Sequence, residues 1–234
     1  MRITLSYIFF SLFAVMLATY SLVTLKDQLL TATMEFSIIL LLTVAIIGVV
    51  DSRYLSFTYI TPIVVMLVVA THYATGALSS YLAYNYGMSD TTGVHSIVRV
   101  MMHDIASAPQ PGDPLSIIGL ALLNGLAEEF LFTGTLYGIV ARFSKAKYLA
   151  AFIAALAFAL FHTQSYLGVT PLNYILNVWE YRGKSLLLLS PMITQLVKCG
   201  LFQQEMKRGG GLLGVSVGHA AGNGILLLAY YGYM

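Results

Sequence analysis

Residues 115–141 read LSIIGLALLNGLAEEFLFTGTLYGIVA, an apolar run closed by Pro114 and Arg142 and interrupted by a single charged pair, Glu128 and Glu129. Wound as one helix it would be about 40 Å long, enough to cross a hydrocarbon core of about 30 Å. The pair sits near its centre. An ionisable side chain at that depth costs about 2.5–3.5 kcal/mol on insertion scales, and two adjacent carboxylates are hard to justify by packing. The stretch therefore reads as a membrane span that places polar chemistry in lipid.

Composition extends this reading to the whole chain. Of 234 residues, 58% are hydrophobic and 9% charged, against about 25% charged in soluble domains. So little charge cannot cover a water-exposed surface, so the bilayer is the implied solvent and partner. A net charge of +2 is too small for a nucleic-acid partner or a polybasic membrane tether. Cys199 is the only cysteine, which excludes an internal disulfide and any cysteine-based metal cluster. Aromatic residues make up 12%, with 16 tyrosines, as interfacial belts require.

Charge-free stretches mark the other spans. Ile3 to Leu25 is too long for a signal-peptide core and lacks a small-residue cleavage site, so it reads as the first span. Phe36 to Val50 is the second. Tyr54 to Tyr86 follows, too long for one crossing, with Pro62 as the expected break. Residues 88–114 hold Asp90, Arg99, Asp104 and Asp113 and read as an exposed connection, with Val94 to Ile105 as an interfacial helix. After the glutamate span come Tyr148 to His162, a loop or re-entrant piece at Pro171 to Lys184, then Ser185 to Gln204 and Gly209 to Met234. The expected fold is an all-α membrane protein, a multi-pass bundle of about seven transmembrane helices, six to eight at the limits. Residues 1–114 contribute spans without a motif, and residues 115–234 form the motif-bearing core of one membrane domain.

Arg2, Arg53, Arg142, Lys145, Lys147, Lys207 and Arg208 would share one face of the membrane; Lys26, Arg99, Arg182 and Lys184 would share the other. The positive-inside rule then predicts a cell-membrane protein with its N-terminus inside.

Depth counting ties the polar residues together. At 1.5 Å per residue, Glu128 lies roughly 21 Å of helix from Arg142, His162 roughly 22 Å from Lys147, and His219 and Asn223 roughly 16 and 22 Å from Arg208. Three spans bring polar groups to similar depth, which implies one polar chamber. His219 and Asn223, four apart, share a helix face, and the small residues around them (Gly218, Ala220, Ala221, Gly222 and Gly224) allow close helix approach. Chemically, a carboxylate with a histidine can deprotonate water, and a second histidine with an amide can donate to a developing oxyanion. That inventory suffices to hydrolyse an amide without a serine or cysteine nucleophile.

In these residues the sequence resembles the CAAX prenyl protease and bacteriocin-processing (Abi) family of intramembrane proteases. Its three motifs, EExxFRG, FxxxH and HxxxN or HxxxD, read here as Glu128-Glu129-Phe130-Leu131-Phe132-Thr133-Gly134, then Phe158 to His162, then His219 to Asn223. Order and span placement match over residues 115–234. The resemblance implies a glutamate-type endopeptidase with no cofactor, acting on a membrane-embedded or membrane-proximal peptide or protein. Glu128 would be the general base, His162 would share its water, and His219 with Asn223 would form the oxyanion pocket, with Glu129 and Thr133 in supporting positions. Thr133 is a departure, because it stands where the family has an arginine. Either another intramembrane cation pairs with the glutamates, Lys198 being the candidate, or the carboxylates sit more protonated or activity is lost.

Of the remaining polar residues, Lys198 is expected to snorkel to the membrane edge, Phe158 and Cys199 to pack, and Asn124, one turn before Glu128, to orient it. His72, His95 and His103 fall outside the motif set, the last two facing solvent. The competing functions are a metal-dependent membrane hydrolase using Glu and two His as ligands, a non-enzymatic immunity or scaffold protein that keeps the fold, and a proton-coupled transporter. No HExxH supports the first of these, and no internal repeat supports the last.

Overall fold

The computed structural model describes residues 28–56, 61–86, 97–98, 114–144 and 146–234. The expected first span, Ile3 to Leu25, lies outside the described residues, as do most of the 88–114 connection, its interfacial helix, and His95 and His103. Among the described residues every regular element is helical. In chain order they are α1 (Gln28–Asp51), a 3₁₀ turn (Ser52–Leu55), α2 (Pro62–Asn85), α3 (Pro114–Glu128), a π-helix (Glu129–Tyr137), α4 (Gly138–Ser144), α5 (Lys147–Phe161), α6 (Thr163–Leu167), α7 (Pro171–Leu176), a second 3₁₀ turn (Lys184–Leu188), α8 (Leu189–Lys207) and α9 (Leu213–Tyr230).

Among the described residues, five stretches are long and apolar enough to cross a membrane: Phe36–Leu55, Pro62–Asn85, Ile117–Arg142, Lys184–Lys207 and Leu213–Tyr230, with Lys147–Phe161 as a shorter apolar helix. The protein is therefore a multi-pass membrane protein. The long 54–86 stretch breaks where proline dictates, with Pro62 opening α2. Proline lacks the N–H that a helix start leaves unpaired anyway, which suits it to that position.

The glutamate span lies at the centre. Its most apolar window is 72% buried, against 22% for Phe36–Leu55, so α1 meets lipid where the central span meets protein. α1 turns Met34, Leu41 and Val49 outward; in lipid such a face needs no polar cover. α1 packs on α3 and the π-helix, α9 packs on α3 and α2, and α8 packs on α5 and α2. α3 crosses α9 closely. A Cβ on Gly125 would stand 2.7 Å from the backbone nitrogen of Ala220, so the glycine sets that interhelical distance. Ile97 and Val98, within the stretch expected to be exposed, are buried against Ile117, Ala121, Leu226 and Leu227.

One end of the bundle is basic. Arg53, Arg142, Lys147 and Lys207 line a single cavity of about 640 Å³ with Tyr54, Tyr137 and Phe202, and Leu212 N–H closes this end by donating to the Tyr54 carbonyl at 2.9 Å.

Candidate active site

The glutamate span changes winding at the glutamates. α-helix ends at Glu128 and π-helix begins at Glu129. A π segment bonds i to i+5 and occurs mostly at functional positions. The two neighbouring carboxylates are both buried; both approach His219, and their other partners differ.

Glu128 accepts a hydrogen bond from Asn124 Nδ2 at 2.9 Å. Its Oε2 lies 3.7 Å from His219 Nε2. Asn124 in turn receives Asn223 Nδ2 on its Oδ1 at 2.6 Å. A chain of amides thus links α9 to Glu128 through α3, and Asn124 occupies the orienting position its spacing suggested.

Glu129 sits deeper, with no exposed surface. Thr133 Oγ1 donates to its Oε2 at 2.6 Å, and Gln195 Nε2 donates to Thr133 Oγ1 at 2.8 Å. Lys198 Nζ donates to Glu129 Oε1. His219 Nδ1 lies 2.8 Å from that same oxygen and 3.1 Å from Lys198 Nζ. The ammonium also stands 4.5 Å from the centre of the Phe158 ring, a favourable cation–π distance.

This overturns the expectation that Lys198 snorkels. Its side chain has no solvent exposure and is paired with Glu129. Snorkelling requires a water interface within reach of the stem, whereas here a carboxylate lies closer. The cation missing from the EExxFRG motif, where Thr133 stands, is supplied from α8. The threonine keeps a smaller part, donating one hydrogen bond to the carboxylate.

His162 caps α5 and is half-buried, with Nδ1 2.9 Å from the Phe158 carbonyl. A carbonyl can only accept, so Nδ1 carries the proton there and Nε2 is left as an acceptor. The His162 and Phe158 ring centroids are 4.3 Å apart, and Phe158 lies 6.4 Å from His219. Phe158 packs as expected, and it is also the wall between the two histidines. Cys199 is buried and free.

The structure thus gathers Glu128, Glu129, Thr133, His219 and Asn223 into one polar cluster made of two hydrogen-bonded sets, Glu128 with Asn124 and Asn223 and Glu129 with Thr133, Lys198 and His219, which meet where Glu128 comes within 3.7 Å of His219; His162 joins it through Phe158. Sequence reasoning missed Gln195 and undervalued Lys198. Their signal was the i, i+3 spacing that puts both on one face of α8. Among the described residues no three His, Cys, Asp or Glu side chains form a set able to hold a metal ion.

Fold and network define a multi-pass membrane protein with a buried Glu–Glu–His–Lys centre. The family described as Type II CAAX prenyl endopeptidase Rce1-like matches residues 110–225, about half of the chain and all three motifs, and through this segment the chain belongs to the CAAX prenyl protease and bacteriocin-processing family. No curated protein and no solved structure gives a significant match.

Proposed function

We propose that this protein is an intramembrane endopeptidase that cuts a membrane-associated or exported peptide with water activated at Glu128. The observation that carries the reading is Glu128 itself, buried, aimed by Asn124 at 2.9 Å and set 3.7 Å from His219. In the proposed reaction Glu128 takes a proton from a water shared with His162 Nε2, and the hydroxide adds to the scissile carbonyl carbon. The oxyanion that forms accepts hydrogen bonds from His219 Nε2–H and from the second N–H of the Asn223 amide. Collapse breaks the C–N bond, and the proton held on Glu128 passes to the leaving amine.

In the proposed reaction His219 donates from both ring nitrogens: Nδ1–H to Glu129 Oε1, 2.8 Å away and able only to accept, and Nε2–H to the oxyanion. Lys198 donates to the same Glu129 oxygen. Glu129 then holds the ammonium in place, with Thr133 and Gln195 behind it. The same ammonium weighs against the metal-dependent alternative, since a divalent ion bound by Glu129 and His219 would face a fixed positive charge. The scaffold alternative drew its support from Thr133, and a replacement cation at Lys198 removes that support.

We further place the protein in the cell membrane with its N-terminus inside, the basic end of the bundle facing the cytoplasm. The test of activity is a membrane peptidome from cells producing wild type or Glu128→Gln. At least one peptide should accumulate uncut in the variant, and its cleavage by purified protein in liposomes should fall by at least about a hundredfold, as loss of a general base predicts. Identical peptidomes would overturn the reading.

A further inference from the structure

His72 lies on α2, in the part of the chain outside the family match. Its side chain is buried, and neither Nδ1 nor Nε2 has a hydrogen-bond partner. Its ring centroid is 5.4 Å from that of His219, with the planes at 54°. Gly222, between His219 and Asn223, is what admits it: a Cβ on Gly222 would stand 2.9 Å from His72 Cδ2.

Packing alone does not ask for a histidine at this place. One turn earlier on α2, Val68 makes the equivalent contact, 2.7 Å from a Cβ built on Gly218. An aliphatic side chain fills that notch, and one would fill the notch at Gly222 without burying two polar atoms. Buried nitrogens without partners carry their full desolvation penalty. A third unpaired polar atom, Asn223 Oδ1, belongs to the same end of the network.

We infer that His72 is a substrate-binding residue of the same chamber, its imidazole hydrogen-bonding the backbone of the peptide beside the scissile bond. A neutral imidazole offers one donor and one acceptor. The C=O and N–H of a peptide unit are the complement of that pair. α2 thus supplies one wall of the substrate site, and α9 presents His219 and Asn223 beside it. The assignment rests on the peptidase reading.

The test uses a fluorogenic peptide spanning the cleavage site found in the peptidome comparison, with full-length protein in liposomes. His72→Phe keeps the ring volume and removes both nitrogens. KM should rise about tenfold with kcat little changed, the pattern of lost uniform binding. His72→Gln, whose amide again offers a donor and an acceptor, should bring KM back to within about threefold of wild type. A role in packing alone predicts the reverse order, with Phe tolerated and Gln not. A His72→Phe KM within about twofold of wild type, or a Gln variant no better than Phe, would overturn the assignment. If His72→Phe does not fold, as judged by its thermal transition in detergent, His72→Gln decides alone: a raised KM without the Phe comparison counts against the proposal. Glu128→Gln in the same assay separates the two claims. Cleavage that persists in that variant defeats the peptidase reading and this inference with it. Cleavage lost there, with normal KM in His72→Phe, defeats the His72 assignment only.

Discussion

The lysine at 198 is an ion-paired side chain with no solvent exposure. Its stabilisation comes from Glu129 and the face of Phe158. Removing one member of a buried ion pair strands the other, at a cost of about 3–5 kcal/mol, whereas neutralising both costs much less. Lys198→Met should therefore lower the melting temperature in detergent sharply, and Lys198→Met with Glu129→Gln should recover most of the loss. A double variant no more stable than Lys198→Met would show that the pair does not act as a unit. At this scale part of the site was legible. Depth along the spans joins Glu128, His219 and Asn223 from sequence alone, because 1.5 Å per residue converts spacing into position. Lys198 was not legible in the same way. A reach of roughly 13 Å to the membrane edge suits snorkelling as well as pairing, and only the packing of α8 against the central span decides between them. His72 belongs to no motif, so its place beside Gly222 is a fact of tertiary structure alone.

Among the elements, the α3–α9 crossing is the one whose geometry the site depends on, because it carries Asn124 and Glu128 on one side and His219 and Asn223 on the other. Gly125→Ala would drive a methyl into the Ala220 backbone, which cannot swing aside as a side chain can. A loss of about 1–3 kcal/mol is expected from such overpacking, together with loss of peptide cleavage as the two helices part. Gly119→Ala, on the same helix with nothing within 4 Å of the added methyl, should be neutral or gain up to about 1 kcal/mol from helix propensity. Thermal melts of the two variants compare these directly. The spans themselves were readable from charge-free length, and Pro62 from its missing N–H. The π winding from Glu129 to Tyr137 was not, since Phe130, Leu131, Phe132 and Leu136 suit either helix, and the choice is made by what the widened turn packs against.

For the whole molecule, the convergence of Arg53, Arg142, Lys147 and Lys207 on one cavity requires the ends of Phe36–Leu55, Ile117–Arg142 and Lys184–Lys207 and the start of α5 to share a membrane face. Impermeant thiol labelling reads this out against a silent background, because the native Cys199 is buried. Lys147→Cys and Lys207→Cys should react from one side of the membrane, and Trp179→Cys and Tyr233→Cys from the other. Labelling of 147 and 207 from opposite sides would contradict the fold.

The pairing of Glu129 with Lys198 also constrains how the chain is made. The two residues are 69 positions apart, so the glutamate span leaves the ribosome well before its counter-charge exists. During that interval two carboxylates and their orienting amide must be kept from bare lipid. The insertion machinery, or a neighbouring helix already in place, has to shelter them until α8 emerges. A chain truncated before residue 198 should therefore stay in contact with the insertion machinery longer than the full-length chain does.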